Sequence, residues 1–232
     1  MIEIIPAILT KSYDDLKNKI SLVRGVAPVV QIDICDGVFV STQTWPFATG
    51  GANDYNLQNI LNEQEGMPFW EDIDFELDLM VSDAIENFDI YTKLGPKRIV
   101  FHLEAIGNLE DFKHFLEAMD VYIRDSIKFG IAINTTTPVE KVFPFVNNVD
   151  FVQCMGIEHI GMQGQDFDKR VLENIKILKD KFSDLIVSVD GGVNLDNAPA
   201  LISAGADRLV IGSAIFKTQD IRNTIEEFES LV

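Results

Sequence analysis

Three aspartates stand where apolar runs give out. Asp33 lies in Gln31-Ile32-Asp33-Ile34-Cys35-Asp36-Gly37, Asp78 in Glu76-Leu77-Asp78-Leu79-Met80, and Asp190 in Val189-Asp190-Gly191-Gly192. An aspartate after a strand is ordinarily a solvated turn residue or a helix cap. Asp36, followed by glycine, reads that way. Asp33 and Asp190 do not, because each directly follows an apolar run and neither has an adjacent basic partner. Carboxylates are costly to bury together unless a cation or a shared proton offsets their charge. If the three converge, they make a site for one or the other. The only histidines are His102, His114 and His159, so a metal site or an acid–base pair must lean on carboxylates.

A second kind of chemistry is suggested by glycine. Gly161-Met162-Gln163-Gly164-Gln165, Gly191-Gly192 and Gly212-Ser213-Ala214-Ile215-Phe216 follow three successive apolar runs near the C-terminus. Glycine lets a backbone approach a ligand closely, so its N–H groups can point at phosphate oxygens. None of these segments contains Lys or Arg. Backbone N–H groups and a helix end are therefore expected to hold the anion.

These residues must be carried by regular elements. Apolar runs at Ile4–Leu9, Val29–Ile34, Phe75–Met80, Arg98–Leu103, Phe129–Asn134, Phe151–Met155, Leu185–Val189 and Arg208–Ile211 predict eight strands. They alternate with segments of helical period at Tyr13–Val23, Asp83–Lys93, Leu109–Met119, Asp168–Phe182, Asn197–Ala204 and Asp220–Leu231. Runs without polar alternation suit a parallel sheet buried on both faces. The pattern predicts an α/β chain folded as a (β/α)8 TIM barrel, a single domain over residues 1–232, with a doubly wound open sheet as competitor. In a barrel the chemistry belongs to the C-terminal strand ends, where the aspartates, His102, Glu104 and Asn134 fall. Alternation turns Gln31 and Asp33 to the same, interior side. The stretch 41–72 is long for a strand-to-helix connection and reads as a functional lid. Phe39, Trp45 and Phe47 are expected to pack that lid or an oligomer interface.

Composition closes off other classes. The 232 residues carry 19 Lys+Arg against 37 Asp+Glu, a net charge of −18, which argues against nucleic acid and anionic membranes as partners. Cys35 and Cys154 form no CxxC pair or disulfide framework, and no window supplies a signal peptide or a membrane span. The expectation is a cytoplasmic protein.

Taken together, Pro6-Ala7-Ile8-Leu9, Gln31 through Val40, Asp78-Leu79-Met80-Val81, Val100 through Ala105, Gly130–Pro138, Gly161–Gln165, Val189–Val193 and Gly212–Phe216 resemble the ribulose-phosphate 3-epimerase family, in order along nearly the whole chain. The resemblance implies a small phosphorylated sugar as partner, D-ribulose 5-phosphate giving D-xylulose 5-phosphate. It implies Asp33 and Asp190 as the two proton-transfer carboxyls, working through an enediolate stabilised by a divalent cation. It implies Gly161, Gly164, Gln165, Gly191, Gly192, Gly212 and Ser213 around phosphate, and Met80, Met155 and His102 at the pocket. Homo-oligomers built through barrel faces are also a family expectation.

The departures are specific. The family's two metal-binding histidines fall on Gln31 and Asp78, so the implied ligands Gln31, Asp33, Asp78 and Asp190 are all oxygen. Such a set favours Mg²⁺ or Mn²⁺ over Zn²⁺. The family serine of the first strand is Ala7, its first pocket methionine is Cys35, and Met162-Gln163 replaces Phe-Gly in a phosphate loop one residue longer. Two other readings compete: a sister-barrel aldolase or decarboxylase of the hexulose-phosphate synthase type, and a non-catalytic sugar-phosphate-binding protein. The first lacks its lysine, since Glu76–Val81 carries no Asp-x-Lys-x-x-Asp; the second is opposed by retention of Asp33 and Asp190.

Overall fold

The computed structural model describes residues 2–162 and 164–231 and shows one closed barrel of eight parallel strands in sequence order. The strands are β1 Glu3–Ile8, β2 Val29–Cys35, β3 Asp74–Met80, β4 Arg98–His102, β5 Lys128–Ile133, β6 Phe151–Met155, β7 Ile186–Asp190 and β8 Arg208–Ile211. Closure is made by β1 pairing with both β2 and β8, which excludes the open sheet. No helix among the described residues is long and apolar enough to cross a membrane.

Strand parity sorts the side chains. Ile32, Ile34, Leu77, Leu79, Phe101, Ile131, Val187 and Val189 point outward into one large core shared with the helices. Inside the barrel, Ile5, Ala7, Val29 and Val210 form one cluster and Val100, Ala132, Phe151 and Met155 another. The bottom is plugged by charge. Arg98 bridges Glu3 at 2.7 Å and Glu76 at 3.5 Å, and Arg208 meets Glu3 at 2.9 Å while lying over the Phe151 ring. Burial pushes the Glu76 carboxyl up to about 7, although both arginines oppose the shift.

The surrounding helices are α1 Tyr13–Val23, α2 Tyr55–Leu61, α3 Phe88–Lys93, α4 Leu109–Glu117, α5 Val121–Ser126, α6 Arg170–Lys181, α7 Ala198–Ala204, α8 Ser213–Phe216 and α9 Ile221–Glu229. In α1, Leu16, Ile20 and Val23 recur on one face and are buried, and Ser12 caps the first turn by accepting from Asp15 N–H. The helix predicted over Asp83–Lys93 begins only at Phe88. Between β5 and β6, where no helical segment is predicted, lies a 3-10 helix, Val139–Asn148, that contains Pro144. Pro144 lacks the N–H an α-helix would need there.

The stretch 41–72 is also not a free lid. Trp45 is only 1% exposed and donates through Nε1 to Asp54 Oδ1 at 3.0 Å, while Asp54 caps α2. Thr44 Oγ1 donates to the Asp33 carbonyl and accepts from Cys35 N–H, both at 2.8 Å. The segment is thereby stitched to the end of β2, and Phe47 packs against the same outer core.

Gly130 on β5 admits the Phe151 ring into the barrel, since a Cβ there would stand 2.4 Å from that ring. Gly130→Ala should therefore cost roughly 1–3 kcal/mol by overpacking. Denaturant unfolding measures it; a variant as stable as wild type would show that the ring yields freely.

Candidate active site

At the upper end of the barrel β2, β3 and β7 bring Asp33, Asp78 and Asp190 together, with one carboxylate oxygen from each inside a span of 4.8 Å. Gln31 and Asp78 are fully buried, and Asp33 is 7% exposed. Gln31 Nε2 donates to Asp33 Oδ1 at 2.8 Å and to Asp190 Oδ2 at 2.9 Å. Gln153 Nε2 donates to Asp78 Oδ2 at 3.3 Å and to Asp190 Oδ2 at 3.5 Å. His102 Nε2 lies 2.7 Å from Asp78 Oδ1. The groups thus form one unbroken chain: Asp33, Gln31, Asp190, Gln153, Asp78, His102.

The chain distinguishes the three acids. Both oxygens of Asp78 are engaged, by His102 and by Gln153. Asp33 and Asp190 each have one engaged oxygen, and Asp33 Oδ2 and Asp190 Oδ1 have no hydrogen-bond partner among the described residues. Burial, reinforced by the charges of Asp190 and Asp78, holds the Asp33 carboxyl well above the usual range. Burial and the charge of Asp78 raise Asp190 to about 7, while the Gln31 hydrogen bond and His102 pull the other way. Burial disfavours a charged His102, but Asp78, Glu104 and Asp190 outweigh it and raise its pKa.

The chemistry of the donor set fits a divalent cation. Gln31 Oε1 is buried and without a partner among the described residues, next to three clustered carboxylates. Four oxygen donors with an unmet acceptor among them suit a hard cation.

One cavity joins these acids to the glycine segments. It is lined by Asp33, Asp190, Met80 and Met155 and by Gly161, Gly164, Gln165, Gly191, Gly192, Gly212 and Ser213. Gln163 of the same motif lies outside the described residues. Gly191 and Gly192 have φ of +102° and +68°, and a Cβ on Gly191 would strike Ile157 at 2.7 Å. Ser213 opens α8, a short helix that follows the last strand directly.

His102 departs from its predicted place. It does not line the cavity but sits behind Asp78, 1% exposed, under the ring of Phe39 at 5.6 Å. Its ring is turned toward the carboxylate it bonds. Gln31 and Asp78 likewise stand behind the wall that Asp33 and Asp190 face. Asp36 keeps its structural role, accepting from Val38 N–H, Phe39 N–H and both the N–H and hydroxyl of Ser82.

Gln153, Arg170 and Lys217 escape a reading of the sequence, and the bonds that Asn134 and Glu104 make at their strand ends are not legible in it either. Gln153 interrupts an apolar strand, which is the signal that could have found it. Asn134 Nδ2 donates to the Glu158 carbonyl and its N–H to Glu104 Oε1, both at 2.8 Å, tying the phosphate-type loop to the ends of β4 and β5. Arg170 bridges Glu158 at 2.7 Å and also pairs with Asp168, closing the base of that loop. Lys217, just beyond α8, brings its Nζ to 3.6 Å from the point where a Cβ of Gly164 would sit. The lysine is thus returned by the fold to the glycine loop, although it is not among the residues that line the cavity.

Residues 3–216 match the ribulose-phosphate 3 epimerase family. The chain belongs to that family. It is an enzyme of the epimerase type, similar to ribulose-phosphate 3-epimerase of Bacillus subtilis (29% identical, covering 98% of each chain) and of Schizosaccharomyces pombe (26% identical, covering 99% of this chain and 93% of the relative). Among solved structures it resembles KGPDC from Streptococcus mutans, at TM-score 0.71 and 12% identity over 99% of this chain and 96% of that one. It also resembles 3-hexulose-6-phosphate synthase from Salmonella typhimurium, at TM-score 0.66 and 10% identity over 99% and 98%. At such identities the structural likeness shows the barrel fold alone.

The raised carboxyls make a stability prediction. A carboxyl whose folded pKa is raised stabilises fully below the unfolded value, about pH 4, and loses that contribution as pH climbs toward about 7. In protein stripped of divalent cations, Asp190→Asn should melt above wild type by a margin that widens from pH 4 to 7. A margin that stays flat or narrows contradicts the raised pKa.

Proposed function

We propose that the chain interconverts D-ribulose 5-phosphate and D-xylulose 5-phosphate by proton transfer between Asp33 and Asp190. The observation that carries this reading is the hydrogen-bond inventory of the three acids. Asp33 and Asp190 line the cavity and each keeps one oxygen without a partner among the described residues, while Asp78 has both oxygens engaged. Epimerisation beside a ketone needs one group to remove a proton from one face and another to supply a proton to the opposite face. Asp33 comes from β2 and Asp190 from β7, strands separated by β8 and β1 around the barrel, so the two carboxyls approach from different sides. Raised pKa values and mutual repulsion favour one ionised and one protonated member, the state this exchange starts from. Reversing the reaction swaps their roles.

Asp33, Asp78 and Asp190, with Gln31, would hold a divalent cation, Mg²⁺ or Mn²⁺ by the hardness of the donors. Such an ion, when bound, neutralises the cluster and stabilises negative charge developing on the substrate oxygens. The cavity's other wall supplies the phosphate contacts: the backbone at Gly161, Gly164, Gly191, Gly192, Gly212 and Ser213, with Gln165 beside them. Met80 and Met155 give the apolar floor. Lys217 adds a cation against this loop, compensating locally for a chain of net charge −18.

Incubation with ribulose 5-phosphate in deuterated water tests the reading. Deuterium should enter at the third carbon as xylulose 5-phosphate appears, and Asp190→Asn should lower turnover by roughly 10²–10⁴-fold. Saturable binding without exchange would instead establish a binding protein. Lys217→Met should raise KM roughly three- to tenfold at nearly constant kcat, a modest effect because the lysine is solvent-exposed. An unchanged KM removes Lys217 from the phosphate site.

A further inference from the structure

Gln153 occupies the middle of β6, fully buried inside the barrel, between Phe151 and Met155 of the interior cluster. Its amide nitrogen reaches Asp78 and Asp190 at 3.3 and 3.5 Å, and its oxygen accepts from Ser188 Oγ at 3.5 Å. All three contacts lie at or beyond the long end of the hydrogen-bond range, so they offset little of the cost of burying an amide. An aliphatic side chain of similar length would fill the space without that cost. Stability therefore does not explain a glutamine here.

We propose that Gln153 is a positioning residue for Asp190. The proposal rests on the reading of Asp190 as a proton-transfer group. Asp78 and Asp190 repel each other, and among the described residues Gln153 is the single side chain that donates to both. Gln31 and Gln153 both converge on Oδ2 of Asp190, which fixes the carboxyl's rotation and reserves Oδ1 for the substrate. Ser188, also fully buried, holds the far end of the amide and so sets which end faces the acids. His102 completes the arrangement from the other side of Asp78. Among the described residues, only the hydrogen bonds of Gln153 connect the Asp78–His102 pair to the Asp33–Gln31–Asp190 group.

The test compares wild type with Gln153→Met, which keeps length but removes the donors, and with Ser188→Ala, which only frees the amide. Four quantities are measured: kcat, KM, melting temperature, and Mn²⁺ affinity by calorimetry on metal-stripped protein. Gln153→Met should melt at or above wild type, lose about 10–100-fold in kcat with KM changed less than about threefold, and bind Mn²⁺ about tenfold more weakly. Ser188→Ala should shift kcat and affinity in the same direction by less. A Gln153→Met enzyme with wild-type kcat and wild-type Mn²⁺ affinity overturns the proposal, as does one whose only change is a lower melting temperature. Absence of epimerase turnover in wild type would sink the reaction instead. A crystal structure of Gln153→Met would then decide: a rotated Asp190 carboxyl supports positioning, and an unmoved one overturns it.

Discussion

Three carboxylates with oxygens inside a 4.8 Å span repel one another strongly where water is scarce, and much of the barrel's polar architecture answers that repulsion. Gln31 bridges Asp33 and Asp190, Gln153 bridges Asp190 and Asp78, and His102 stands behind Asp78. The amides are neutral, so they hold the acids in place without cancelling their charge. Burial first, and then the charge left uncancelled, raise the Asp33 and Asp190 carboxyls, Asp190 into the range where a proton can be taken or given near neutrality. The same excess charge makes a divalent cation a fitting occupant. Structure and reactivity here have one origin, the cost of burying negative charge and crowding it together.

That cost is contained by the fold around it. The charged plug of Glu3, Glu76, Arg98 and Arg208 closes the opposite end of the barrel, and apolar side chains lie in the interior with it. At the mouth, Asn134, Glu158, Arg170 and Asp168 fasten the loop that carries Gly161 and Gly164. An overall charge of −18 is compatible with the proposed phosphate site, because the relevant field is local. Glycine-rich backbone, with Lys217 next to Gly164, stands on one side of the cavity's lining, and Asp33 and Asp190 on the other.

The barrel was legible because its strands carry their own signal. Runs such as Phe151–Met155 and Arg208–Ile211 coincide with observed strands, and strand parity placed Gln31 and Asp33 inside. The convergence of Asp33, Asp78 and Asp190 followed from their shared place at strand ends. Orientation and long-range return were not legible. Nothing local to His102 says that its ring turns to Asp78 rather than to the cavity. Lys217 lies four residues beyond Ser213 in sequence, and only the turn of α8 brings it back to Gly164. Trp45 looked like lid material because its segment lacks regular period, yet its ring is buried and its N–H finds Asp54. Gln153 is a polar residue in an apolar run, a signal that the predicted site leaves out, and its meaning depends on neighbours from β3 and β7.

If crowded charge governs the site, the acid cluster holds protons that a cation displaces. Calorimetric titration of metal-stripped protein with Mn²⁺ near pH 6.5, repeated in buffers of different ionisation enthalpy, counts those protons directly. One Mn²⁺ per chain should bind with net proton release, and Asp78→Asn should abolish or greatly weaken that binding. Binding without proton release, or no binding by a fully active enzyme, would contradict it.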